Sequence, residues 1–186
     1  MHYTIVEARP QDVPFLAAIE LAAARMLMGH APESVLNETT SNEALLAAQN
    51  KGHLWVAVAD DVPVGFAHMK VLDPEVIHLE EIDVLPEHGR RGIGTQLVKA
   101  VCRWAAANNY RYVTLTTFRH VPWNMPFYAR LGFEEIPDTE LTPSLRSIIA
   151  AETRRGLNPE LRVPMRFLVT QVTSGRSQSS SCRSSS

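Results

Sequence analysis

Apolar residues recur along this chain in two periods. Runs rich in β-branched and aromatic residues, several alternating with polar ones, occupy residues 3–8, 54–59, 64–72, 76–85, 112–118, 133–137 and 162–172, and they predict strands. Apolar positions at helical spacing predict helices over 13–28, 42–50, 91–109 and 142–155, with a short helix inside 122–131 that starts near Asn124. Chain punctuation agrees. Asp12 suits an N-cap, Gly29, Gly132 and Gly156 suit helix ends, and Pro86 stops a strand. Asp60-Asp61-Val62-Pro63 suits a hairpin connection, whereas residues 30–40 read as a surface loop. This order predicts a single-domain α/β fold with one mixed sheet. Its hairpin part should be antiparallel, and the strand–helix–strand unit over 78–118 parallel and right-handed.

One connection carries unusual chemistry. Residues 78–97 read HLEEIDVLPEHGRRGIGTQL, a strand that passes through a basic, glycine-containing loop into a helix. Unpaired N–H groups and the helix dipole point the same way at such a start, which makes an anion cradle, and Arg90 and Arg91 add fixed positive charge. The loop is no Walker loop, because no Gly-Lys-Ser/Thr closes it. It is no dinucleotide fingerprint either, because Gly92-Ile93-Gly94 is followed by Thr95-Gln96-Leu97 and a third glycine is missing. A phosphate-bearing cofactor fits it.

Composition narrows the classes. The 186 residues suit one domain with a sizeable core, and a net charge of −2 gives no support to nucleic-acid binding. No apolar run reaches the roughly 20 residues that span a bilayer, and the first residues lack the pattern of a secretory signal, so no membrane association is expected. Two cysteines, Cys102 and Cys182, make no disulfide framework and fit a cytoplasmic protein. Residues 174–186 are Ser-rich and low in complexity, which predicts a disordered tail or cloning remnant after a domain over 1–173. His53, His68 and His120 share no metal spacing, so no metal is expected.

The loop, the strand before it and the segment Asn124-Met125-Pro126-Phe127-Tyr128-Ala129-Arg130-Leu131-Gly132-Phe133 together resemble the GNAT N-acetyltransferase superfamily. The family's diphosphate motif is Gln/Arg-x-x-Gly-x-Gly/Ala. Gly92 and Gly94 fill its small positions, and Gly89 stands at the Gln/Arg position, a departure that leaves only a backbone N–H there. The resemblance implies a GNAT-type fold and acetyl-CoA as cosubstrate. It implies that Gly89, Arg90, Arg91, Gly92, Ile93, Gly94 and Thr95 hold the diphosphate, that the backbone of Ile82 and Val84 pairs with the pantetheine arm, and that Asn124 and Tyr128 contact the cofactor. Tyr128 would also meet the departing thiolate. Homodimerisation is common in the family, although no stretch of the chain carries a sign of it.

Amine acetylation needs a base, since an alkyl ammonium with a pKa near 10 cannot attack a thioester until it loses a proton. Strict strand alternation places His78, Glu80, Ile82 and Val84 on one face and Leu79, Glu81, Asp83 and Leu85 on the other. Glu80 is therefore expected as the base with His78 as partner or relay, matching base positions in the polyamine and arylalkylamine branches of the family. A one-residue slip would exchange Glu80 for Glu81. Cys102 on an apolar helix face reads as structural. Met26, Met28, residues 30–40 and Trp123 fall where the family shapes its acceptor site. The expected function is transfer of acetyl to a primary amine of a small molecule by direct attack in a ternary complex. A protein N-terminal or lysine acetyltransferase, and a catalytically silent acetyl-CoA-binding module, stand as alternatives.

Overall fold

The computed structural model describes residues 2–169, so expectations for Cys182, the Ser-rich tail and the end of the last strand lie outside the described residues. Among the described residues seven strands form one sheet: β1 (Tyr3–Glu7), β2 (Leu54–Ala59), β3 (Val62–Asp73), β4 (Val76–Val84), β5 (Tyr112–Phe118), β6 (Glu134–Glu135) and β7 (Arg162–Leu168), in the order β1-β2-β3-β4-β5-β7-β6. Among the described strands only β4 and β5 run parallel, and the connection between them contains helix α4 (Ile93–Ala107), as the pattern predicts. The other helices are α1 (Val13–Ala24), α2 (Glu33–Leu36), α3 (Asn42–Gln49), α5 (Met125–Arg130) and α6 (Pro143–Arg154).

Most boundaries fall within two residues of expectation, and three differences have local causes. The β2–β3 hairpin turns on Asp60 and Asp61, both at positive φ (48° and 65°), so β3 starts earlier than its apolar run. That is the backbone of a two-residue primed turn, which Asp tolerates better than most residues. Helix α1 stops at Ala24 and tightens into a 3-10 turn over Arg25–Leu27. The segment read as a surface loop carries α2, which starts after Pro32. No helix among the described residues is long and apolar enough to cross a membrane.

Each sheet face has its own core. On one face α4 inserts Ile93, Leu97, Val98, Val101 and Ala105 among Ala67, Met69, Ile77, Leu79, Val113, Leu115, Val163 and Met165. On the other, α1 and α3 bring Val13, Leu16, Ile19 and Leu45 onto Leu54, Val56 and Phe66. Roughly 25 cal/mol per Å² of apolar surface removed from water makes these layers the main stabilising term.

The centre of β4 breaks the expected alternation. His68 pairs with Glu81 and the next residue, Met69, pairs with Leu79, so one step on β3 spans two on β4 and Glu80 is the extra residue of a bulge. Ile77 and Leu79 before the bulge, and Ile82 and Val84 after it, all face the α4 core. Glu81 pairs with His68, and Asp83 with Phe66 of the opposite core. Glu81 and Asp83 therefore share the α1 face with His78. The simple period-two placement of Glu80 with Ile82 and Val84 does not hold.

Candidate active site

The parallel ladder between β4 and β5 ends at His78–Thr114, yet β4 runs on to Val84 and β5 to Phe118. Beyond that point the strands pair no further, and the β5 side of β4 is open. Leu85 N–H donates to Val64 C=O at 2.9 Å, on the β3 side. Neighbouring N–H groups on a strand alternate sides, so those of Ile82 and Val84 point into the opening. These are groups that an extended amide-bearing arm would pair with.

Helix α4 begins at the end of this opening. Gly92 is its N-cap in the left-handed region (φ 79°), a conformation that costs an ordinary residue strain. The first intrahelical bond there runs from Gln96 N–H to Gly92 C=O at 3.0 Å. The N–H groups of Ile93, Gly94 and Thr95 are thus first-turn donors without intrahelical acceptors. The loop is held from two sides. Arg91 donates to Glu87 C=O at 3.2 Å, and the Tyr3 hydroxyl donates to Arg91 C=O from strand β1. Arg90 is exposed, also at positive φ (56°). Gly89, Arg90, Arg91 and Gly92 through Thr95 therefore form one continuous turn at a helix N-terminus, the chemistry a diphosphate needs.

On the α1 face a pocket of about 320 Å³ opens between the splayed strands, α1, the segment 26–38 and the end of α6. Tyr128 and Asn124 line it together with residues 79–84 of β4. Asn124 caps α5, and the Tyr128 N–H one turn later points to the Asn124 carbonyl at 3.4 Å. Burial, and then the charges of Glu81 and Asp83, push the Tyr128 hydroxyl well above its usual range. It is a neutral donor at any physiological pH.

The carboxyl groups differ sharply in surroundings. Glu80 is exposed and forms an ion pair with Lys70 of β3. Burial, and then the charge of Glu20, raise the Glu81 pKa to about 7. Burial, and then Glu81 and Glu20, drive Asp83 well above the carboxylate range. Its Oδ2 is buried without a hydrogen-bond partner. Two adjacent carboxyls in one poorly solvated site cannot both ionise freely, so Asp83 holds its proton and Glu81 titrates near neutrality.

His78 does not reach the pocket. It is 2% exposed, its Nδ1 lies 3.0 Å from Thr114 Oγ1, and burial pushes its pKa down to about 3. The imidazole is neutral and holds the last paired residues of β4 and β5 together, which is a different duty from the relay expected of it. Met26 and Trp123 line the pocket, with Trp123 edge-on to His30 at 5.8 Å, while Met28 lines a neighbouring surface groove. Burial raises the Cys102 thiol to about 12, which removes it as a nucleophile.

Residues that sequence reasoning passed over complete the wall. Arg162 of β7 donates to Glu152 of α6 at 2.8 and 3.0 Å and to Thr116 Oγ1 at 3.0 Å. Arg155 donates to Glu38 at 2.8 Å, and Glu20 accepts from Thr40 N–H at 2.9 Å. Of these only Glu20 left a trace in the sequence, as a lone acid within the apolar run of α1.

The acetyltransferase (GNAT) family model matches residues 20–133. The chain belongs to this family. The aminoglycoside N(6′)-acetyltransferases type 1 of Salmonella typhimurium and Salmonella enteritidis are each 33% identical to this GNAT chain over 89 residues, 44% of its length. The match spans 61% of those relatives' own length. Among solved structures, the PaiA N-acetyltransferase from Thermoplasma acidophilum in complex with coenzyme A superposes with a TM-score of 0.70 at 18% identity, over 90% of this chain and 99% of that one. N-acetylglutamate synthase from Neisseria gonorrhoeae, complexed with coenzyme A and N-acetyl-glutamate, gives 0.70 at 17% identity, over 92% of this chain and 36% of that one. At such identities the likeness establishes the GNAT fold alone.

Proposed function

We propose that the chain transfers the acetyl group of acetyl-CoA to a primary amine of a small molecule. One observation carries the reading. The open edge of β4, the α4 N-terminus and the pocket with Glu81 and Tyr128 all converge on the point where β4 and β5 part. The residues fit the cosubstrate: seven positions from Gly89 to Thr95 for its diphosphate, and Ile82 and Val84 N–H groups for its arm. Acetyl-CoA supplies an activated thioester, and the protein's task is to move protons around it. The aminoglycoside relatives and the solvent-reachable pocket support a small amine as acceptor.

Glu81 takes the amine proton. Its pKa of about 7 leaves a useful fraction ionised at neutral pH, and its face of the sheet lines the acceptor pocket. Glu80, favoured by simple alternation, is bulged out and paired with Lys70. Val84 N–H donates to the carbonyl oxygen under attack, as an oxyanion donor does. Tyr128, held neutral by its surroundings, gives a hydrogen bond or proton to the departing sulfur. His78 and Thr114 fix where the strands separate. The domain over 1–173 is proposed to carry all of this.

Coenzyme A should raise the melting temperature of the full chain, since a ligand that binds only the folded state stabilises it. Thiol release from acetyl-CoA should then depend on an added amine. Absence of the first result removes the cofactor site, and amine-independent release removes the transfer reaction.

A further inference from the structure

The pocket holds more negative charge than one amine needs. Six carboxyl groups line it: Glu20, Glu38, Glu80, Glu81, Asp83 and Glu152. Three of them have cationic partners, Glu38 with Arg155, Glu80 with Lys70 and Glu152 with Arg162. Glu20, Glu81 and Asp83 form no ion pair among the described residues, and Arg155 and Arg162 reach Glu20 and Glu81 only as more distant charges already paired elsewhere. The three acids come from two elements, α1 and β4, and line the same pocket, where the charge of Glu20 raises the proton affinity of both Glu81 and Asp83. Oδ2 of Asp83 is left buried without any partner. Asp83 keeps its proton, which leaves Glu20 and Glu81 as the carboxylates without an ion-pair partner. Desolvating carboxylates without a paired counter-charge is costly, so a site that keeps these two together is shaped for cations supplied from outside.

The arginines sharpen the point. Both that line the pocket are engaged with carboxylates, Arg162 through two nitrogens to Glu152 and Arg155 to Glu38. Neither offers a cation to an acidic group on the acceptor. Ala23, Leu27, Val35 and Leu157 supply an apolar wall for a methylene stem.

We propose that the acceptor is a small polyamine. It carries a second ammonium a few bonds from the amine to be acetylated and no carboxylate, and Glu20 is the carboxylate that holds the second charge. This rests on the acetyl-transfer reading and names its substrate class. A single ammonium at Glu81 would leave Glu20 uncompensated, whereas a dication answers both. An acceptor with a carboxylate would meet six carboxyl groups and no arginine free of a carboxylate partner. Glu20 already accepts from the Thr40 N–H and hydroxyl, which fixes its orientation while adding no positive charge.

Three probes of similar length test this on the full chain with acetyl-CoA: putrescine, butylamine and γ-aminobutyrate. Putrescine should exceed butylamine in kcat/KM by about 10- to 100-fold, the range of one charge-assisted contact, and γ-aminobutyrate should fall behind both. Glu20→Gln should shrink the putrescine-to-butylamine ratio through KM, and Glu20→Asp should restore part of it. Equal or better turnover of butylamine or γ-aminobutyrate by the unaltered protein overturns the proposal. So does an unchanged ratio in Glu20→Gln, or failure to acetylate any probe while coenzyme A still raises the melting temperature. Loss of that thermal shift would instead overturn the acetyl-transfer reading beneath it. The ratio in the unaltered protein stands even if a variant does not fold.

Discussion

The proposed cofactor side of the cleft and the proposed acceptor side are made from different parts of the chain. The cofactor side is nearly contiguous: Ile82 and Val84 of β4, then the turn from Gly89 to Thr95. Its working groups are backbone N–H donors, set by strand separation and by a helix start. The acceptor side is assembled from side chains of α1, β4, β5, α6 and β7, more than 140 positions apart at the extremes (Glu20 to Arg162). A backbone site tolerates changes of side chain as long as the turn keeps its shape. A side-chain site changes character with a single substitution, which is how one fold hosts many acceptors.

Five variants test the contrast. The largest effect is expected for Glu81→Gln: a loss of about 10²- to 10⁴-fold in kcat/KM, with the thermal shift by coenzyme A retained. The rate of the unaltered enzyme should rise with pH through about 7, where Glu81 gives up its proton, and that limb should vanish in the variant. Glu80→Gln, which breaks only an exposed ion pair, should stay within a few-fold. If the two results exchange places, the base is Glu80 and the bulge argument fails.

Tyr128→Phe comes next, with kcat down by about 10²-fold and cofactor binding kept. A variant as fast as the parent removes Tyr128 as proton donor. Gly92→Ala tests the other side. Strain of roughly 1–2 kcal/mol at φ 79° should raise the KM for acetyl-CoA about tenfold while leaving preference among amines untouched. Altered amine preference would mean that the two sides are not independent.

The smallest effect on catalysis is expected at His78, where the consequence is stability. Its folded pKa of about 3 lies below the unfolded value near 6.5. Above that value the ring is neutral in both states and contributes no pH dependence. As pH falls from about 6.5 toward 3, the unfolded chain takes up a proton that the fold refuses, and stability is lost, by several kcal/mol at most. Denaturant melts across this window should show a shallower slope for His78→Gln than for the parent. An equal slope would mean that His78 is not the buried neutral group described.

The sequence carried the family and the fold a long way. Apolar periods located every strand and the longer helices, and the Gly92–Gly94 loop with the Asn124/Tyr128 segment identified the family that the comparison then established. These signals are local, written in spacing over a few residues. Face assignment on β4 failed because it assumes unbroken alternation, and one extra residue at Glu80 reverses it downstream. A bulge is decided by how β3 and β4 pair, and nothing in EEIDV announces it.

His78, Glu20 and Arg162 teach the same lesson from three directions. A histidine two residues from an acid reads as catalytic until Thr114, 36 positions away, holds it inside the sheet. A glutamate in an apolar helix reads as a solvent-facing residue until β4 brings Glu81 and Asp83 beside it. An arginine at the start of a strand has no signature at all until α6 supplies Glu152. The chain by itself determined where backbone donors lie, because local spacing sets turns and helix starts. Only the folded molecule decided which carboxyl is proposed as the base and how much charge lines the pocket, because pKa and charge balance depend on neighbours that are close in space and distant in sequence.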